Sequence, residues 1–426
     1  MTGKILKSEV WMLAIDLPSP FPLGFGTLSS LPRVFFVLTI ESSNGEFRSI
    51  GEASIDFPFS HYDAWDVYHS LSLLGLEGKS ANEREQLLAE PQFKDLMVFP
   101  AAFAALNMAL DDAYGRLNHI SIPDIYGIVR VNGMPLESIP HQPDQEKFHT
   151  AIDSAINRGR LPKMKGGLGL KVDLERLQMT TEIAVSLGIQ FAVDFNAVYT
   201  VEQFEELVQV LAQVKNIQNR VLFFEQPTLA EIGIDGLQQA TRILQANGLS
   251  IYVMADESFV SQSDAQICQK HGILLNYKIQ KVGGILVALE IEKALGQTSL
   301  PSMVGGTFPT AIGRTWDQQA LCVLSSASLP SDGWQPSTDW FDGNKHFISE
   351  RFQASDNKSK AFLGHGLGIT VLWDVLERYK IEHPAMEYQA IRNNQTGKQL
   401  EIQLKPGHTY SELYQRLSRR QVDWNL

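Results

Sequence analysis

Five short apolar runs in the middle of the 426-residue chain each end in side chains that can do chemistry. The first ends in Lys163-Met164-Lys165, and FAV runs into Asp194-Phe195-Asn196. VLFF runs into Glu225-Gln226-Pro227, and YVMA into Asp256-Glu257-Ser258. ILLNY runs into Lys278 and on to Lys281-Val282-Gly283-Gly284. Charge at the ends of core strands is costly unless it is paired or bound to a metal, so these residues read as one site.

Carboxylate oxygens from separate strands suit a hard cation, Mg²⁺ with Mn²⁺ as the substitute, and Asp194, Glu225 and Asp256 offer one carboxylate each. No His or Cys stands with them, which disfavours zinc. Lys163 and Lys165 are two apart and share a strand face. Close ammonium groups lower one another's pKa, and a lysine tuned in this way can serve as a general base. With Lys278 opposite, a substrate carboxylate on the metal has a lysine on either side. The reaction that suits this is removal of the proton alpha to a carboxylate, with the enediolate stabilised by nearby positive charge. For any one of these residues alone, helix capping or an ion pair is the simpler explanation, and a Schiff-base lysine is a third.

The elements around them must be strands feeding one rim. Asp194, Glu225 and Asp256 stand 31 positions apart, from 194 to 225 and from 225 to 256, the length of one βα unit of a barrel. Amphipathic stretches alternate with the apolar runs, as in βαβ units. Before about residue 125 the pattern differs. Strands at 4–16, at 33–41 and in FRSIGEAS precede a helical stretch over 63–118, with Phe103, Leu106, Leu110, Tyr114 and Leu117 on one face. The Pro-, Gly- and Ser-rich stretch 18–32 reads as a loop and a candidate lid. The last 40 or so residues read as a small hairpin and helix. The expected division is an α+β capping domain over 1–125, joined by part of 361–426, and a modified (β/α) barrel over 126–360.

Hydrophobic residues make up 44% and charged ones 20%, so a large core is available. A net charge of −12 argues against nucleic acid. The two cysteines do not make a disulfide framework. The first residues lack the apolar core of a signal peptide, and no run approaches a membrane span. The expectation is a cytoplasmic protein acting on a small-molecule carboxylate, with no membrane partner and with homo-oligomerisation left open.

The order KMK, DFN, EQP, ADES, KIQKVGG resembles the enolase superfamily, specifically its muconate-lactonizing subgroup. The resemblance implies an α/β fold, a modified TIM barrel under a capping domain. It implies Asp194, Glu225 and Asp256 as Mg²⁺ ligands, and Lys165 and Lys278 as the acid/base pair. It also implies that Lys163 stabilises the intermediate and that Asn196 and Glu257 support the ligands. AIGRTWDQQALCVL and the following SDGWQPSTDWF resemble o-succinylbenzoate synthases and N-succinylamino acid racemases. This implies an o-succinylbenzoate synthase-like dehydration, with racemisation or dipeptide epimerisation as the alternative and a non-catalytic carboxylate-binding barrel as another. Gly306-Thr307-Phe308-Pro309-Thr310 departs from the Gly-Met-Leu-Glu-Thr of many members, which bears on substrate identity. Phe25, Gly306 and Thr307 are the candidate substrate contacts.

Overall fold

The computed structural model describes residues 3–22, 27–55, 60, 62–140, 144–296, 299–335, 347–355, 357–380, 387–392 and 399–404. Three antiparallel strands open the chain: β1 (Ile5–Pro22), β2 (Thr27–Ser42) and β3 (Gly45–Ala53). β2 lies between the other two. Val34 to Leu38 of β2 are all buried, so both faces of this strand are covered.

Much of 18–32, expected as a loop, is strand instead. After a register irregularity between Asp16 and Phe21, pairing continues through Phe21↔Leu28 and Pro22↔Thr27. The prolines at 18, 20 and 22 suggested a break. However, β1 is the edge of its sheet, where a missing N–H donor leaves no ladder bond unmade. Phe25 lies outside the described residues.

Helices α1 (Ala64–Ser72) and α2 (Pro100–Asn118) follow. Phe103, Leu106 and Leu110 of α2 are buried as their spacing predicts, but so is every residue from 101 to 113. The reason is that α2 is covered on two sides, by β3 and by the barrel segments 279–282 and 285–295. The contact with β3 is backbone to backbone. A Cβ on Gly51 would stand 1.9 Å from the Ala105 carbonyl oxygen, so only glycine fits there.

The second sheet has seven strands in sequence order: β4 (Leu136–Ile139), β5 (Leu161–Lys165), β6 (Phe191–Asp194), β7 (Val221–Glu225), β8 (Tyr252–Ala255), β9 (Leu274–Tyr277) and β10 (Ser302–Val304). All neighbours are parallel. Helices alternate with them: α3 (Gln145–Asn157), α4 (Leu170–Leu187), α5 (Val201–Leu211), α6 (Gly233–Ala246), α7 (Gln262–Lys270) and α8 (Ile285–Leu295). The eighth position is taken by the turn around Ser331. Ser331 bridges Pro135 in parallel register, and its hydroxyl accepts from Val304 N–H at 3.3 Å.

The period of two along a strand sorts the barrel into layers. Leu136, Ala192, Phe223, Met254, Leu274 and Met303 form one inward-facing apolar cluster. Two residues further along β6, β7, β8 and β9 the same face presents Asp194, Glu225, Asp256 and Asn276. The alternate residues Met164, Val193, Phe224, Val253, Leu275 and Tyr277 lie in the larger core cluster outside the sheet.

Past the barrel, α9 (Ala311–Val323) is buried along its whole length. α10 (Trp373–Arg378) returns to the first sheet, with Trp373 edge-on to Trp11 at 5.9 Å and Glu377 paired with Arg48 at 2.8 Å. Of the hairpin and helix expected near the end, the hairpin is present as β11 (Glu387–Arg392) and β12 (Gln399–Leu404), and the helix lies outside the described residues. It joins the first sheet through Ile391↔Leu28. No helix among the described residues is long and apolar enough to cross a membrane.

Candidate active site

The strand-end motifs have separate local reasons. In Asp194-Phe195-Asn196, the aspartate faces inward and the Phe195 ring packs outward against Phe224, Tyr199 and Phe204. Asn196 adopts positive φ (46°), where Asn is among the more tolerant residues. Its backbone N–H donates to Asp194 Oδ1 at 2.8 Å and its amide to Oδ2 at 3.2 Å. In Glu225-Gln226-Pro227, the buried Gln226 ties two strand ends together. Its Oε1 accepts from the N–H groups of Asp256 and Ser258, and its Nε2 donates to Ser258 Oγ at 2.8 Å. The turn after Lys165 is held by Asp173, which accepts from Gly167 and Leu168 N–H and from the Tyr199 hydroxyl.

Lys163, Lys165, Asp194, Glu225, Asp256 and Lys278 are all buried at this rim. Lys165 Nζ donates to Asp194 Oδ2 at 2.5 Å. Lys163 Nζ reaches Glu225 Oε2 at 2.9 Å, lies 3.7 Å from Asp194, and donates to Asp332. Lys278 meets Asp256 Oδ2 at 2.8 Å, across three intervening strands from Lys165. Glu257 follows Asp256 and is half-buried. Gly306 is half-buried, and a Cβ there would stand 2.6 Å from the Arg314 guanidinium. Thr307 is buried and gives its hydroxyl to the Ser54 carbonyl at 3.0 Å.

Three contributors carried no role in the sequence reading. Asn276 donates to Glu225 Oε1 at 2.6 Å; it stands two before Lys278, on the same strand face. Lys281 grips Asp256 through Oδ1 at 2.7 Å and through its carbonyl; its signal is its place one helical turn after Lys278. Asp332 comes from the eighth barrel position, in a stretch that reads only as a turn.

The charges follow from this crowding. Burial alone would lower Lys163, but Asp332, Glu225 and Asp194 outweigh it and hold the ammonium above its usual range. This reverses the expectation that neighbouring ammonium groups lower it. Burial pushes Glu225 up to about 8, helped by the charges of Asp194 and Asp256 and opposed by Lys163. Burial also opposes ionisation of Asp256, but Lys278 and Lys281 together hold it below the usual carboxylate range. Asp194 is lowered as well, its burial outweighed by Lys165 and Lys163.

Among the described residues, no three His, Cys, Asp or Glu side chains converge as a closed metal cage. The carboxylates are turned toward the lysines instead. The donor chemistry still fits a hard divalent cation: three buried carboxylates, Asp194, Glu225 and Asp256, stand on neighbouring strand ends.

The chain is 30% identical over 312 residues to the L-Lys-D/L-Arg epimerase of Desulforapulum autotrophicum, covering 71% of this chain and 82% of that protein. It is 24% identical over 386 residues to an o-succinylbenzoate synthase of Enterococcus faecalis, covering 88% and 98%. Its fold matches the structure of a dipeptide epimerase from Enterococcus faecalis V583 complexed with Mg and the dipeptide L-Leu-L-Tyr, with a TM-score of 0.74, 22% identity, and coverage of 86% and 99%. Residues 153–375, more than half of the chain, match the family described as Enolase C-terminal domain-like, and the chain belongs to that family as an enzyme of the enolase superfamily.

Proposed function

We propose that this enzyme moves the proton alpha to a substrate carboxylate, and that the product is the inverted stereoisomer. The observation that carries this reading is the placement of Lys165 and Lys278. They stand at the second and sixth of eight barrel positions, on opposite sides of the rim, each against its own carboxylate. Asp194, Glu225 and Asp256 would hold Mg²⁺, with Mn²⁺ as substitute, and the ion would supply positive charge beside the substrate carboxylate. Lys165 takes the α-proton, and the electron pair left on carbon spreads into the carboxylate as an enediolate. Lys163, held protonated by its acidic neighbours, offers fixed positive charge to that oxygen. Lys278 delivers a proton to the opposite face.

The substrate reading follows from Asp332. Its carboxylate is buried at the rim, and its Oδ1 has no hydrogen-bond partner among the described residues. A buried acceptor left unmet is costly, and a substrate ammonium group would satisfy it. This favours an amine-bearing substrate such as a dipeptide. A second reading, o-succinylbenzoate synthase-like dehydration, is supported by the near-full-length match to a relative of that name.

The test is incubation in D₂O with Mg²⁺ and a panel of cationic dipeptides, N-succinylamino acids and the cyclohexadiene precursor of o-succinylbenzoate. Deuterium should enter the α-carbon of a dipeptide, and Asp332→Asn should raise KM for it. Turnover of the cyclohexadiene acid without labelling of any dipeptide would select the second reading. Absence of both would discard proton transfer.

Asn276 checks the metal assignment separately. Without its amide, Glu225 loses the donor to Oε1 and, among the described residues, keeps only Lys163 at Oε2. Asn276→Ala should weaken Mg²⁺ binding by about 10-fold in a calorimetric titration, the usual effect of removing a group that orients a ligand.

A further inference from the structure

The first sheet sends one carboxylate deep into the contact with the barrel. Glu52 of β3 is fully buried and ends against the first turn of α9. Its Oε1 accepts from Thr310 N–H at 2.8 Å, and its Oε2 from Gly313 N–H at 2.8 Å and from the Thr310 hydroxyl. These are donors that a helix start otherwise leaves unmet. Gly313 is required there, since a Cβ would stand 2.8 Å from Glu52 Oε2 and 2.8 Å from Pro309 Cβ. Arg33 of β2 completes the clasp. Its guanidinium donates to the carbonyls of Thr307 and Phe308, at 2.7 and 2.6 Å, and lies 3.7 Å from Glu52.

The clasp leads to the rim. One residue past Gly313, Arg314 donates to the Asp332 carbonyl at 2.9 Å and pairs with Asp317 at 3.2 Å. The Asp332 carboxylate in turn holds Lys163. The links are buried hydrogen bonds, joined by the peptide bond from Gly313 to Arg314 and by the body of Asp332.

We propose that Glu52 is a positioning residue: by capping α9 it sets Arg314, and through Arg314 it sets Asp332 and Lys163. It touches neither the reacting groups nor the metal ligands. The consequence for catalysis rests on the proton-transfer reading above, and the consequence for geometry does not. In this chain the mouth segment has Pro309, which carries no carboxylate, and the clasp arrives from the first sheet instead.

The test is Glu52→Gln, which keeps the size and removes the charge. The rate of α-deuterium incorporation should fall roughly 10²-fold, the scale of a small misplacement transmitted from a distance. Mg²⁺ affinity should change by less than about threefold, because Asp194, Glu225 and Asp256 are untouched, while KM for a dipeptide should rise as Asp332 shifts. Amide exchange should quicken in 305–314 and also in 331–335, and Glu52→Asp should recover part of the rate. Faster exchange in 305–314 with unaltered 331–335 and an unaltered rate would overturn the proposal. If Glu52→Gln does not fold, Thr310→Val removes one donor to the same carboxylate. It should give the same pattern with a smaller loss, and unaltered 331–335 and rate would again overturn the proposal. If the wild-type enzyme labels no acid, the functional reading fails, while amide exchange in 331–335 still decides whether the relay exists.

Discussion

Lys165→Ala will lower α-proton exchange by roughly 10³- to 10⁴-fold, the upper range for loss of a positioned general base. Stopped labelling in D₂O, read by mass spectrometry, measures it. The variant should keep Mg²⁺ binding, because its ammonium competes for Asp194 Oδ2 and its removal frees that oxygen. A fall of more than about 10-fold in Mg²⁺ affinity would instead mark Lys165 as scaffold for a ligand. Lys278→Ala gives the complementary result. One stereoisomer should still exchange its α-proton through Lys165, while inversion stops. Equal loss of exchange from both stereoisomers would contradict a two-sided site.

Asp111→Ala is expected to destabilise the protein by about 3–5 kcal/mol, the cost of leaving a buried partner charge uncompensated. Arg84 Nε donates to Asp111 Oδ1 at 2.7 Å, and both side chains are buried. The Tyr126 hydroxyl at 2.7 Å and the Asn107 amide at 3.0 Å fill Asp111 Oδ2. Removing the carboxylate takes away the acceptor of Arg84 Nε and of the Tyr126 hydroxyl, and among the described residues leaves Arg84 only the exposed Glu85 as an ion-pair partner, at 3.3 Å. Urea unfolding followed by circular dichroism should show the loss. The double variant Arg84→Met with Asp111→Leu should recover more than half of it, since neither side then carries a buried charge. A double variant no better than Asp111→Ala would place the cost in packing rather than in charge.

What could be read from the sequence, and what could not, divides along physical lines. The barrel was legible because its signal repeats. The equal steps from Asp194 to Glu225 to Asp256 reflect one strand, one helix and their loops. Period-two alternation then carries each carboxylate to the same face as the apolar layer beneath it. Asp332 was not legible because the eighth barrel position is a turn, with no apolar run to announce it. Asn276 was hidden for a different reason: it sits inside ILLNY, where its neighbours read as ordinary core. The charge of Lys163 departs from expectation because three carboxylates surround it, and spacing along the chain shows only its ammonium neighbour. In 18–32, local proline preference suggested a loop. The outcome was decided by which edge of the strand needs donors, a tertiary fact that Pro18, Pro20 and Pro22 cannot reveal.

β2 is paired along one side with β1, but β3 covers only part of its other side, from Val34 to Ser42. The remaining stretch meets the hairpin through Leu28 and Ile391. Translation therefore delivers the two halves of this sheet far apart in time. At about 5–20 residues per second, roughly 20–70 s separate the emergence of these two partners from the ribosome. Over that interval the open edge is a template for any passing strand, so the nascent chain has reason to shield it until synthesis ends.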